Sequence, residues 1–186
     1  MAITTKVGDK GKTAILFGHM IDKTSPILDV CGTVDELNAS IGIARSHVIA
    51  PNMKGELLAV QHKLFIIGAE VATKEEDHHK LKRSISKEDV DGIDEEIAVL
   101  EKYNDINNWF IPGESPSSAQ LEYARTVCRR LERNVLKIGY NNESMRIYIN
   151  RLSDYLWLLA QKEEYYLRGD ERKTTEHSSS ESQTTI

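Results

Sequence analysis

The chain has 186 residues, with 24 Lys and Arg against 29 Asp and Glu and a formal net charge of −5. That length suits one domain with a substantial core, and the negative balance gives no overall electrostatic case for nucleic acid. No apolar run reaches the roughly 18 residues that a membrane span needs, and Met1-Ala2-Ile3-Thr4-Thr5-Lys6 lacks the apolar stretch of a signal peptide.

Residues 3–25 read as an irregular arm, in which Gly8, Gly11 and Gly18 alternate with Lys6, Lys10, Lys12 and threonines. Glycine lets backbone amides approach an anion, and lysine supplies point charges. Gly11-Lys12-Thr13 matches the end of a P-loop, but the first glycine of that motif would fall at Lys6, and no strand is expected ahead of it. A first helix is expected over about 26–49. Leu37, Ile41 and Ala44 form its apolar stripe, and Gly32-Thr33-Val34-Asp35-Glu36-Leu37-Asn38 places two acids in its first half. A second, over about 54–73, carries Leu57, Val60, Leu64, Ile67, Gly68 and Val71 on a broad apolar face. Cys31 and Cys128 fall in helical patterns without metal-type spacing, so free thiols in a reducing cytoplasm are expected.

Residues 74–85 form a charged connection, expected to be a solvated loop. Glu75 with His78, and Glu76 with His79, have the Glu-x-x-His spacing of di-iron bundles, but such a site needs the motif on two inward-facing helices. Ser86 and Asp89 form a capping box that opens a third helix, with Val90, Ile93, Ile97 and Leu100 as its stripe, ending near Asn104. Trp109-Phe110-Ile111-Pro112-Gly113-Glu114 is an aromatic turn.

Ser115 then caps a fourth helix, Pro116 suits its first position, and Gly139 is its natural stop. Between Arg125 and Arg133 lie four arginines and one glutamate. At about 100° per residue, Arg125, Arg129 and Glu132 share one stripe, Arg133 flanks it and Arg130 points away. A guanidinium row beside a carboxylate suits a polyphosphate, because the planar fork binds phosphate oxygens bidentately. The plainer alternative is a solvated face of i,i+4 pairs. A fifth helix over about 143–167 carries Ile147, Leu152, Tyr155, Leu156 and Leu159, and places Asn150, Arg151 and Asp154 together. The Ser-, Thr- and Glu-rich tail after Gly169 is expected to be disordered. The whole reads as an all-α, single-domain, antiparallel five-helix bundle of ferritin-like type: an arm at 1–25, the bundle at 26–169 and a tail at 170–186.

Four blocks then bear on function: Thr5-Lys6-Val7-Gly8-Asp9-Lys10-Gly11, Gly32 to Asn38, Pro112-Gly113 leading to Ala124 through Arg133, and Asn150-Arg151-Leu152-Ser153-Asp154. In order and spacing they resemble the ATP:cob(I)alamin adenosyltransferases of the PduO type. The resemblance implies a homotrimer with active sites between subunits. It also implies transfer of the 5′-deoxyadenosyl group of ATP to Co(I) of a reduced corrinoid, with magnesium on the nucleotide and triphosphate as the leaving group. By position, Thr5, Lys6, Val7, Gly8, Thr13, Ala14 and Lys23 would wrap ATP, and Arg129, Arg130, Glu132, Arg133 and Asn150 would hold it from the neighbouring subunit. Asp35 would pair with Arg125 across the interface. Phe110 would lie beneath the corrin, with Asp154 on the corrin side. Arg129, Asn150 and Phe110 are the residues expected at the reacting centre. A corrinoid reductase and a B12-dependent enzyme are the partners implied. Three positions depart from the family pattern: Met20 stands where arginine is common, Glu114 where a second glycine is common, and Glu122 where histidine is frequent. The alternatives are a non-catalytic ATP- or corrinoid-binding carrier or sensor, and a ferritin-like metal bundle.

Overall fold

A computed structural model describes residues 6–102 and 111–181, with the backbone alone for Val7 and for 170–181. Five helices follow an N-terminal hairpin: α1 (Pro26–His47), α2 (Met53–Val71), α3 (Lys87–Glu101), α4 (Pro116–Lys137) and α5 (Glu143–Glu181). Local chemistry sets their starts. Proline occupies the first turn of α1 and of α4, where its missing N–H leaves no bond unmade. At α4, Ser115 Oγ accepts from the Ser118 amide at 3.2 Å. The capping box of Ser86 and Asp89 opens α3 as expected. Asn142 Oδ1 accepts from the Met145 amide at 3.0 Å and caps α5. Gly139, at φ 63°, turns the chain out of α4, in a conformation that glycine adopts without penalty.

α4 packs between α1 and α5, with α2 against α1 and α3 against α5. Two ion pairs tie α2 to the remaining helices, Lys63 to Asp89 on α3 and Lys162 Nζ to Glu56 at 2.9 Å. Leu37, Ile41, Leu57, Leu64, Leu121, Leu131, Ile149, Leu152 and Leu156 are fully buried and form the core. Buried carboxylates fasten the ends of the bundle. Glu163 accepts from the amides of Ile49 and Ala50, each at 3.0 Å, and from Ser117 Oγ at 2.8 Å. Glu164 accepts from Ser115 Oγ at 3.1 Å and from Ser118 Oγ. Glu70 accepts from the Ile85 amide at 3.0 Å and from Asn142 Nδ2 and the Tyr140 hydroxyl. Each acid is buried and matched by donors, as a buried carboxylate must be.

Three expectations are corrected. The arm is not irregular throughout: β1 (Lys12–Ala14) and β2 (Met20–Asp22) pair antiparallel, with Thr13 opposite Ile21. Gly18 at φ 85° and Phe17 at φ 60° make the sharp reversal that returns the chain. The 74–85 connection is not merely a solvated loop, because Glu75–Lys80 forms a 3-10 turn with Asp77 buried, and Ile85 joins the core. α5 runs past Gly169 to Glu181, so the backbone shows no helix end where the tail was expected to begin. One glycine costs a helix only about 1 kcal/mol, and no proline follows to break the backbone ladder. The expected end of the third helix near Asn104, and the turn bearing Trp109 and Phe110, lie outside the described residues.

Candidate nucleotide and corrin site

The arginine-rich row stands on a helix whose other face is fully packed. Leu121, Ala124, Cys128 and Leu131 are 0% exposed, which fixes the rotation of α4 and therefore the direction of its charges. The four arginines then divide. Arg125 Nε donates to Glu122 Oε2 at 2.9 Å. Arg130 pairs with Glu36 of α1, and the Tyr123 hydroxyl donates to that carboxylate at 3.2 Å. The Arg130 hydrogen bond, aided by Tyr123, holds the Glu36 carboxyl below its ordinary range. Arg129 and Arg133 form no ion pair with another described residue, and both are exposed. They sit one turn apart, roughly 6 Å along the helix, a spacing that lets both reach one polyphosphate chain.

Across the α4–α5 seam, Asn150 Nδ2 donates to Glu132 Oε1 at 3.0 Å, and Arg151 Nη1 donates to Asn150 Oδ1 at 3.1 Å. Arg151 Nε in turn meets Asp94 Oδ1 of α3 at 2.8 Å. The amide of Asn150 is thereby held from both sides, with Glu132 fixed beside Arg129 and Arg133. Asp154, one turn beyond Asn150, is exposed. The Cys128 thiol lies beneath this cluster and donates to the Ile149 carbonyl at 3.3 Å. Burial first, then the charges of Glu132 and Asp154, push its pKa far up, so it is an inert packed group.

The arm forms a separate cluster. Lys6 is at φ 58° and Gly11 at φ 75°, and together they bend the chain around Gly8. A Cβ at Gly8 would lie 2.9 Å from Lys23 Nζ, so Lys23 packs directly against the glycine backbone. The Lys23 amide donates to the Gly11 carbonyl at 2.8 Å. Lys23 thus joins Lys6, Gly8, Thr13 and Ala14 in one segment of the fold, whereas Thr5 and Phe110 lie outside the described residues. Among the described residues, no hydrogen bond or ion pair joins residues 6–23 to the arginines of α4. Asp35 is exposed and forms no ion pair with Arg125 in the same chain. Glu122 is 4% exposed, and its Oε1 has no hydrogen-bond partner among the described residues.

Some of these contacts carry no sequence signal. Glu36 with Arg130 and Asp94 with Arg151 join different helices, and no spacing along one chain announces such pairs. His19 with Asp77 is another, at 2.6 Å across 58 residues.

Arginines on a packed helix, beside a braced Asn–Glu pair and a separate glycine-rich arm, make a helical bundle whose exposed guanidinium groups suit a polyphosphate. Residues 3–163 match the cobalamin adenosyltransferase family. The chain is 37% identical to a corrinoid adenosyltransferase of Citrobacter freundii, over 87% of this chain and 94% of that one. It is 33% identical to the corrinoid adenosyltransferase PduO of Salmonella typhimurium over 88% of this chain, and spans 50% of that longer protein. A variant of the PduO-type ATP:corrinoid adenosyltransferase of Lactobacillus reuteri, solved with cobalamin and ATP, superposes with a TM-score of 0.81 at 30% identity, covering 90% of this chain and 96% of that one. The chain belongs to the cobalamin adenosyltransferase family.

Proposed function

We propose that the protein transfers the 5′-deoxyadenosyl group of ATP to Co(I) of a reduced corrinoid, giving an adenosylcorrinoid and triphosphate. Family membership supports the reaction class, and one observation carries the site: Arg129 and Arg133 stand without an ion pair to another described residue, on a helix whose rotation is fixed by its buried face. In the reaction a cobalt–carbon bond forms, the 5′ carbon–oxygen bond breaks, and the electron pair leaves on the triphosphate. Reduced cobalt supplies the nucleophile, so the chain needs no nucleophile or general base of its own. Its part is to hold the 5′ carbon in line and to neutralise the departing charge.

Arg129, Arg130 and Arg133 are assigned to the phosphates, with Glu132 and Asn150 orienting the nucleotide. Thr5, Lys6, Val7, Gly8, Thr13, Ala14 and Lys23 are assigned to the wrapping arm, and Phe110 and Asp154 to the corrin side. Within one chain no bond among the described residues joins the arm to the arginines, which supports a site built from two subunits of a homotrimer. Asp35, exposed and without an ion pair to Arg125 in its own chain, is assigned to the neighbouring subunit's Arg125. Magnesium is proposed to arrive on the triphosphate. Glu132 and Asp154 are the carboxylates at hand and Glu132 Oε1 already accepts from Asn150, so the residues present suit an ion held mainly by phosphate oxygens.

Two free thiols support a cytoplasmic setting, and among the described residues no helix is long and apolar enough to cross a membrane. There a corrinoid reductase would supply Co(I), and a B12-dependent enzyme would take the product.

The deciding experiment is anaerobic spectrophotometry of chemically reduced cobalamin with ATP, magnesium and the protein. Protein-dependent decay of the Co(I) band into the adenosylcobalamin spectrum is expected. ATP binding without conversion would overturn the enzyme reading in favour of a carrier or sensor. Asp35→Ala is expected to shift the assembly to a smaller sedimenting species, and an unchanged trimer would remove the interface assignment.

A further inference from the structure

The hairpin that carries the arm is a two-stranded ribbon of three residues a side. Such a ribbon is marginal in water and needs an anchor. Its anchors lie at one end. The Leu16 amide donates to the Ala72 carbonyl at the end of α2, at 2.9 Å. The Lys80 ammonium sits 5.3 Å from the centre of the Phe17 ring. His19 Nε2 donates to Asp77 Oδ2 at 2.6 Å, with Glu76 Oε1 at 3.7 Å. The other Asp77 oxygen accepts from Lys80 Nζ at 2.6 Å, so the carboxylate is engaged on both sides. Asp77 is buried and His19 half-buried, which lifts this bond above an ordinary surface contact. At the other end of the ribbon, Gly8, Gly11 and Lys23 form the bend assigned to the nucleotide.

We propose that His19 is a positioning residue for the nucleotide: its bond to Asp77 clasps the hairpin to the Glu75–Lys80 turn and so sets where the glycine bend presents its amides. His19 acts through β2, which leads from it to Lys23 in four residues. Asp77 fits this role because Lys80 and then His19 hold its carboxyl below its ordinary range, keeping it an ionised acceptor. The inference rests on the arm assignment made above, and its readouts are separable from turnover.

The test uses the full-length protein, with calorimetric binding of magnesium–ATP in the absence of corrinoid. Losing the clasp in His19→Ala should raise the Kd by about ten-fold, the size expected for a hydrogen bond to a charged group. His19→Gln, whose amide nitrogen reaches as far as Nε2, should restore affinity to within about two-fold of the parent. Asp77→Ala should weaken binding equally, and the double variant should be no worse than either single one. Hydrogen exchange should speed up over residues 12–22 in His19→Ala, while the melting temperature stays that of the parent. When reduced cobalamin is added, KM for ATP should rise in His19→Ala, with kcat at saturating ATP changed by less than about two-fold. An unchanged Kd, additive losses in the double variant, failure of Gln to rescue, or unaltered exchange in the hairpin would each overturn the clasp. Absence of turnover in the parent would overturn the transferase reading and leave the binding and exchange results to judge the clasp.

Discussion

The hairpin arm and the α4–α5 seam carry cations to the same proposed ligand by opposite means. On α4, Arg129 and Arg133 project from a helix whose inner face is 0% exposed at Leu121, Cys128 and Leu131, so burial fixes the direction of the charges. Asn150 and Glu132 are braced beside them, through Arg151, as far as Asp94 on α3. In the arm, Lys12 and Ala14 are exposed, Ile15 is the buried residue, and the fold rests on three strand pairs and a few polar anchors. Positioned charge therefore comes from a packed helix, and close backbone approach from glycine on a lightly held ribbon. Each arrangement suits the role proposed for it, since charge stabilises a leaving group best when it needs no reorganisation, and a wrapping strand must be able to open.

The largest effect is expected from Arg129→Ala. It deletes an exposed guanidinium from a rigid scaffold, so kcat/KM for ATP should fall by about a hundred-fold while thermal melting is unchanged. Parent-like kinetics would remove the assigned role. Asp89→Ala does the reverse. Asp89 accepts from the Ser86 amide at 3.0 Å and meets both Lys63 and Arg83, so its loss should cost about 2 kcal/mol in urea unfolding with little change in the Kd for ATP. A loss of ATP affinity without a loss of stability would break the division drawn between scaffold and site. Ser115→Ala removes the cap of α4 and a donor to Glu164, and should lower stability by about 1 kcal/mol in the same urea measurement.

The smallest effect expected is with pH. Burial works to raise the Asp89 carboxyl, but the Lys63 hydrogen bond, the Ser86 amide and the nearby Arg83 outweigh it and hold the group below its ordinary range. Its folded-state pKa is depressed, so its contribution is present above the ordinary carboxylate pKa and is lost as pH falls through the lower folded value. Stability against urea should weaken as pH drops below that ordinary value, and Asp89→Asn should flatten the slope. An identical slope in the variant would remove Asp89 as its source.

By itself the sequence determined the elements that local chemistry controls. Ser86 with Asp89, Ser115 with Pro116, and Gly139 marked helix ends correctly, because caps and stops act within a few residues. Leu37, Ile41, Leu57, Leu64 and Ile67 were legible as core from helical periodicity. The arginine row was legible as a row, but not which of its members are already paired. That was decided by the placement of α1 beside α4, which gives Arg130 to Glu36 and leaves Arg129 exposed. The hairpin, the buried Asp77 and the His19 clasp were likewise invisible, since 58 residues separate the partners of a bond worth little until the end of α2 and the arm meet. Short-range hydrogen bonds and periodic burial are written along the chain, whereas the pairing of a charge depends on which helix packs against it, and only the tertiary structure supplies that.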